Sequence, residues 1–148
     1  MATADGAVKD YEVLVRMVCD DGKIILPGGF MPAAERFGLI HSMDRWIVRR
    51  AIKQLGKLQQ GGHKAGFSIN LSGHAFEDSA LLPLIQEWLN GAGLDPSLVT
   101  FEITETAAIE NLTAAEDFIT ALKDIGCQFA LDDFGSGFSS FAYLKHLP

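Results

Sequence analysis

Cysteine is scarce in this sequence. Cys19 and Cys127 are the two cysteines in 148 residues, and they form no Cys-x-x-Cys pair. A disulfide framework is therefore not indicated, and a reducing compartment such as the cytoplasm fits best. The chain also lacks an apolar run near the roughly 18 residues that a membrane helix needs. Residues 1–8 are small and polar and do not form a basic segment followed by an apolar one, so no export signal is predicted.

Positive charge is in short supply as well. Twelve Lys and Arg residues face 19 Asp and Glu residues, which gives a formal net charge of −7. Nucleic-acid polymers and anionic membranes are bound by basic faces, so neither is an expected partner. A small phosphorylated ligand stays compatible with this charge, because a bound metal ion would supply positive charge locally. The chain is 48% hydrophobic and long enough for one domain with a core.

Apolar segments alternate with helical patterns along the chain. Strands are predicted over residues 9–18, 67–71, 99–103 and 129–131, and helices over residues 31–37, 42–60, 81–91, 113–125 and from 138 onward. Ser42 is the predicted N-cap of the long second helix, and Thr113 with Glu116 matches a capping box. This alternation predicts parallel βα units. A closed (β/α)8 barrel needs about 250 residues, so the chain would supply little more than half of one.

Each predicted strand has one apolar face and one face with a single oxygen-bearing side chain, because strand residues alternate between faces. These side chains are Glu12, Asn70, Glu102 and Asp132. On a parallel barrel, helices cover the apolar faces and the other faces converge on the axis. The C-terminal strand ends are where such folds do chemistry.

Asp132 and Asp133 end an apolar run and precede a glycine-rich turn. Two adjacent carboxylates repel each other, and a divalent cation would neutralise them. Carboxylate and amide oxygens without histidine or cysteine favour Mg²⁺, Mn²⁺ or Ca²⁺. Asp133 would reach a second ion, and paired ions suit in-line phosphoryl displacement. Arg16 alternates onto the face of Glu12, where a guanidinium would grip a phosphate.

Each of these residues also has an ordinary structural explanation. Glu12 alone would be a surface residue paired with Arg16, Asn70 a turn residue, and Glu102 an exposed edge charge. The coincidence favours the metal site, because four strands each carry a ligand-type residue on the face that is not apolar.

Six motifs occur in order: Glu-Val-Leu-Val-Arg at residues 12–16, the segment 27–40, Asp-Arg-Trp at 44–46, Ile-Asn-Leu-Ser at 69–72, Phe-Glu-Ile-Thr-Glu at 101–105 and Asp-Asp-Phe-Gly-Ser-Gly at 132–137. This set resembles the EAL domain family, bacterial cyclic di-GMP phosphodiesterases with a TIM-like (β/α)8 barrel. The similarity runs from about Tyr11 to Pro148. It implies an α/β fold of the EAL type, incomplete here, with about four βα units. The family's first strand and its C-terminal strands would be missing.

The resemblance implies specific roles for residues of this chain. Metal binding is implied for Glu12, Asn70, Glu102, Asp132 and Asp133, and the catalytic set is Glu12, Asp132 and Asp133. Substrate binding is implied for Leu14 and Arg16, and Glu105 would brace the loop at residues 134–137. The implied reaction is hydrolysis of cyclic di-GMP to linear pGpG with one or two Mg²⁺ or Mn²⁺ ions.

Two departures from the family pattern leave alternatives open. The family's signature alanine is Val13 here, and the family's later lysine and glutamate motifs are absent. We expect residues 1–8 to be a flexible N-terminus and residues 9–148 a partial EAL domain that is inactive alone or completed in a homodimer. In a parent protein, sensory or GGDEF domains would accompany it. The alternatives are a non-catalytic cyclic di-GMP receptor or interaction module, and an unrelated metal-dependent barrel enzyme.

Overall fold

The computed structural model describes the backbone of residues 9–132 and the side chains of residues 10–131. The expected flexible segment at residues 1–8, Asp133, the loop at residues 134–137 and the helix from residue 138 lie outside the described residues. The strands are β1 (Lys9–Val13), β2 (Met17–Val18), β3 (Ile24–Ile25), β4 (Ala65–Asn70), β5 (Val99–Thr104) and β6 (Gln128–Asp132). The helices are α1 (Pro27–Arg36), α2 (Ile40–Gln60), α3 (Leu81–Ala92), α4 (Glu105–Glu110) and α5 (Leu112–Ile125), with short 3-10 turns at Gly73–Glu77 and Pro96–Leu98.

Four strands form one parallel sheet in the order β1-β4-β5-β6. The connection from β1 to β4 contains strands β2 and β3 followed by α1 and α2. Helix α3 connects β4 to β5, and α4 with α5 connects β5 to β6. Parallel neighbours require crossovers of this length, so the predicted βα units are present. Strands β2 and β3 form a separate antiparallel pair.

The core lies between one face of this sheet and the helices. Ile69, Phe101 and Ile103 are at most 1% exposed and belong to one buried cluster with Val48 of α2 and Leu122 of α5. Burying each such side chain contributes about 1.5–3 kcal/mol. The alternation predicted for β4 and β5 is confirmed, because the residues between these core positions are exposed or half-buried.

The first predicted strand is wrong beyond Val13. Residues 17–18 leave the parallel sheet and pair with residues 24–25 in a hairpin. The hairpin is closed by a hydrogen bond from the Gly22 amide to the Cys19 carbonyl oxygen at 2.9 Å, and Gly22 has a φ of +86°. A local turn with glycine in the left-handed region therefore ends the strand earlier than the apolar pattern indicated.

The predicted starts of three helices are also wrong. Helix α1 begins at Pro27, four residues before the predicted start at residue 31. Helix α2 begins at Ile40, so Ser42 lies inside it, and α5 begins at Leu112, so Thr113 is not an N-cap. Helix α4 was not predicted at all. It begins where the Thr104 side chain accepts a hydrogen bond from the Ala107 amide at 3.2 Å. Ser42 and Thr113 are thus residue types that favour N-caps, but neither caps its helix, whereas the Thr104 side chain caps α4.

Candidate metal centre and ligand cavity

Glu12, Asn70 and Glu102 lie on neighbouring strands near the carboxyl end of the sheet. The Asn70 side chain donates a hydrogen bond from Nδ2 to Oε2 of Glu12 at 3.5 Å. Asn70 is paired in register with Glu102, and the Leu71 amide donates to the Glu102 carbonyl oxygen at 2.9 Å. Asn70 therefore stands between the two carboxylate-bearing strands, on the face opposite the helix-covered core.

The register also explains how residues at different pairing positions share one level of a barrel. Glu12 is aligned with Ser68, two residues before Asn70, and Glu102 is aligned with Ala130, two residues before Asp132. The four predicted ligands thus advance along a line that is oblique to the hydrogen-bonding direction. Barrel strands are tilted by about 35–45°, which brings such staggered positions to a similar height.

Asp132 ends β6, aligned with Thr104, and its side chain is outside the described part. Among the described side chains, no group of three His, Cys, Asp or Glu residues lies close enough to hold a metal ion. The chemistry of the donors nevertheless fits Mg²⁺ or Mn²⁺, because Glu12, Asn70 and Glu102 all offer hard oxygen atoms. Metal binding by this set stays a prediction.

Leu14 lies beside Asn70, although not on a strand. Both residues line a cavity of about 310 Å³, together with Pro27 of α1, Asp44 of α2 and Ser72. Leu14 is 64% exposed. An exposed apolar side chain next to polar groups is suited to packing against a ligand, so the position is compatible with the predicted substrate contact.

Arg16 does not line the cavity beside Asn70. It follows the end of β1, so the strand alternation that placed it with Glu12 does not apply. It lines a second cavity of about 400 Å³ with Leu14, Trp46 and Arg50. Its predicted phosphate contact remains untested.

Asp44 is a buried carboxylate that the sequence analysis gave no role. It is 2% exposed and accepts hydrogen bonds from the Ser72 hydroxyl at 2.6 Å and from the Ser72 amide at 3.4 Å. Burial raises the pKa of the Asp44 carboxyl above its ordinary value, an effect that the Ser72 hydrogen bonds partly offset. The sequence contained a signal for this burial, because Asp44 occupies the apolar stripe of α2 between Ile40 and Ile47.

A second buried carboxylate fixes the segment that follows the cavity. Asp78 accepts two hydrogen bonds from Arg45, at 2.7 Å from Nε and 2.6 Å from an amino group. It also accepts one from the Ala80 amide at 3.1 Å. The Arg45 guanidinium holds the pKa of the Asp78 carboxyl below its usual value. This bidentate pair ties α2 to the start of α3 and so holds the loop after β4 against the core.

Glu105 is 3% exposed and begins α4, directly after the end of β5. A carboxylate is seldom buried to this degree without partners. The loop that it was predicted to brace lies outside the described residues, so this role also stays a prediction.

The comparisons with known proteins agree on one family. The family model described as EAL domain matches residues 1–148. The chain is 39% identical over 137 residues to the cyclic di-GMP phosphodiesterase PdeB of Shewanella oneidensis, covering 93% of this chain and 16% of that protein. It is similar to the FimX EAL domain from Pseudomonas aeruginosa bound to c-di-GMP, with a TM-score of 0.86 and 33% identity over 93% of this chain and 55% of that one.

A third similarity is to the MucR phosphodiesterase in complex with c-di-GMP. Its TM-score is 0.84 at 34% identity, with 93% of this chain and 56% of that one covered. MucR of Pseudomonas aeruginosa is named a bifunctional diguanylate cyclase/cyclic di-GMP phosphodiesterase. The chain spans little more than half of these solved domains and less than a quarter of the curated relatives. The predicted fold, an incomplete α/β barrel of the EAL type, is confirmed. No helix within residues 9–132 is long and apolar enough to cross a membrane.

Proposed function

The chain belongs to the EAL domain family, and on this premise we propose that it acts in hydrolysing cyclic di-GMP to linear pGpG. The observation that supports this best is the hydrogen bond between Asn70 and Glu12, with Glu102 in register on the next strand. It joins hard oxygen donors from separate strands at the end of the sheet where barrel enzymes bind their substrates.

In this proposal Glu12, Asn70, Glu102 and Asp132 hold a Mg²⁺ or Mn²⁺ ion, and Asp133 contributes to a second. When bound, such ions activate a water molecule and neutralise charge on the phosphate. The reaction adds water across one P–O3′ bond of the cyclic dinucleotide. The Asn70 amide restrains the Glu12 carboxylate through its hydrogen bond, so Asn70 orients a neighbour as well as binding metal.

The ligand is proposed to lie over the cavity beside Asn70. Leu14 would pack against a base, because it is exposed and borders this cavity. Arg16 would contact a phosphate from the adjoining cavity, which Leu14 also lines. A cleft with one apolar contact and a few polar groups is typical of small-molecule sites.

The decisive measurement is Mn²⁺-dependent release of pGpG from cyclic di-GMP, in the native-length protein that contains this chain. Glu12→Gln should reduce turnover by more than about 100-fold, because it removes a ligand charge. Glu110→Gln is the matched control, since Glu110 is an exposed carboxylate at the end of α4. Turnover of the unaltered protein no higher than that of Glu12→Gln would refute the proposal.

The whole protein is proposed to be larger than this chain, because the curated relatives are several times longer. A cyclase-type GGDEF or sensory domain would then accompany it, as the bifunctional name of MucR suggests. Residues 9–148 would form the EAL part and residues 1–8 a flexible lead-in. A homodimer and a cytoplasmic location also remain predictions.

A second candidate function is a receptor that binds cyclic di-GMP without hydrolysing it. It is favoured by the likeness to the FimX domain bound to c-di-GMP, and by the cavity beside Asn70, which the exposed Leu14 borders. Calorimetric titration with EDTA present separates the two functions. Tight binding without metal, combined with no turnover when Mn²⁺ is restored, would favour the receptor.

A further inference from the structure

A groove between α2 and α3 shares no lining residue with the two cavities beside Leu14. Its volume is about 360 Å³. Arg49, Lys53 and Lys57 of α2 form one side, and Trp88 and Gly91 of α3 form part of the other. This charged groove lies outside every motif that carries the proposed function.

The three cations form a regular column. They are spaced four residues apart on α2, which places each about 6 Å further along the helix axis than the one before. All three are exposed. The ion pairs among the described side chains are formed by Arg45 and His74. None of these pairs includes Arg49, Lys53 or Lys57. The column therefore creates a local positive potential on a chain whose net charge is −7.

The opposite side of the groove is apolar and open. Trp88 is half-buried against the core cluster and also lines the groove. A Cβ on Gly91 would meet no described atom within 4 Å, so packing inside the chain does not require glycine there. Gly56 differs, because its Cβ would come within 3.3 Å of Ala92. The two helices are thus in close contact at Gly56 and leave space at Gly91.

We propose that this groove binds an acidic amphipathic helix of a partner protein. Acidic residues at four-residue spacing on that helix would meet Arg49, Lys53 and Lys57 in turn, and an apolar side chain beside them would cover Trp88. A nucleic-acid polymer fits less well, because it would extend onto a surface whose remaining residues carry a net charge of −10 once these three charges are subtracted.

The probe for this proposal is a fluorescein-labelled helical peptide with glutamates at four-residue spacing and a leucine beside each. A peptide with glutamines in place of the glutamates is the comparison. Fluorescence anisotropy with the full chain at low salt should show saturable binding of the glutamate peptide and none of the glutamine peptide. Added salt should weaken the binding, because the charges are exposed.

Lys53→Glu should weaken peptide binding about tenfold, because an attraction becomes a repulsion. Lys123→Glu on α5 changes the net charge equally at an exposed position outside the groove and should alter the affinity by less than about twofold. If Lys53→Glu does not fold, Lys53→Gln replaces it, with an expected loss of about threefold.

Three results would overturn the proposal: no saturable binding of the glutamate peptide, equal losses in the Lys53 and Lys123 variants, or tighter binding of a single-stranded oligonucleotide. These outcomes are independent of cyclic di-GMP hydrolysis, because neither lysine lies among the predicted metal or substrate residues.

Discussion

The Ser72 hydroxyl donates a 2.6 Å hydrogen bond to the buried Asp44 carboxylate, which joins helix α2 to the residue two positions after Asn70. This contact fixes the chain at the point where it leaves β4. Asn70 is held on its other side by the pairing with Glu102. The position of a predicted metal ligand therefore depends on a carboxylate that is itself not a predicted ligand.

Asp44→Asn should become more stable relative to the unaltered chain as the pH rises. The folded chain favours the protonated form of Asp44, because burial raises the pKa of this carboxyl above its ordinary 3.8. The stability that Asp44 contributes is therefore fully present below pH 3.8 and is lost as the pH rises through the raised pKa. Asparagine keeps an oxygen acceptor for Ser72 without this loss.

The measurement is denaturant unfolding of both chains across this pH range. The difference in unfolding free energy should shift toward the asparagine variant on going from acid to neutral pH. A pH-independent difference would contradict the assigned cause. Asp95→Asn is the control, because Asp95 also caps a Ser amide but is exposed.

Asp78→Asn should respond to pH in the opposite direction. Arg45 lowers the pKa of Asp78, so the ion pair stabilises the fold above the ordinary pKa and its contribution is lost as the pH falls through the lowered one. At neutral pH the variant should lose about 1–2 kcal/mol of unfolding free energy, the lower part of the range for charged hydrogen bonds, because the Arg45 side chain is 40% exposed. Urea unfolding checks this, with the exposed Asp124→Asn as control. Equal stability of both variants at neutral pH would contradict it.

Asn70→Ala should weaken Mn²⁺ binding by about 10–100-fold, because it removes a proposed ligand and frees the Glu12 carboxylate. The free Mn²⁺ signal in electron paramagnetic resonance gives the affinity directly. Asn90→Ala, at an exposed position of α3, makes the same change away from the site. Unchanged Mn²⁺ affinity in Asn70→Ala would remove this residue from the ligand set.

Val13→Ala should leave cyclic di-GMP turnover within about twofold while lowering stability by about 1 kcal/mol. Val13 is half-buried, is paired with Ile69 and packs against the core cluster, so its methyl groups contribute to packing. It also borders the cavity beside Asn70, where alanine keeps an apolar lining. Turnover and thermal unfolding of the two chains are the measurements. A gain in turnover of tenfold or more would mean that Val13 itself restrains the site.

Hydrophobic alternation was sufficient to identify the strands of the sheet but not where each strand ends. The residues of β4 and β5 follow a period of two because one face contacts helices and the other does not. The apolar residues at positions 14–18 continue the pattern of β1, yet a hairpin closed at Gly22 takes residues 17–18 out of the sheet. Strand alternation consequently applies to Glu12, which lies on β1, and does not apply to Arg16, which follows the end of that strand.

The sequence by itself determined the parallel βα architecture, the core faces and which strands carry oxygen-bearing side chains, because these depend on periodicity along the chain. Only the tertiary structure decided that Asn70 contacts Glu12, that Ser72 is bound to Asp44, and that Arg49, Lys53 and Lys57 border a groove with Trp88. These contacts join residues from 28 to 58 positions apart, or bring different helices together. Pairing register and helix packing set such distances, and neither is written in local sequence patterns.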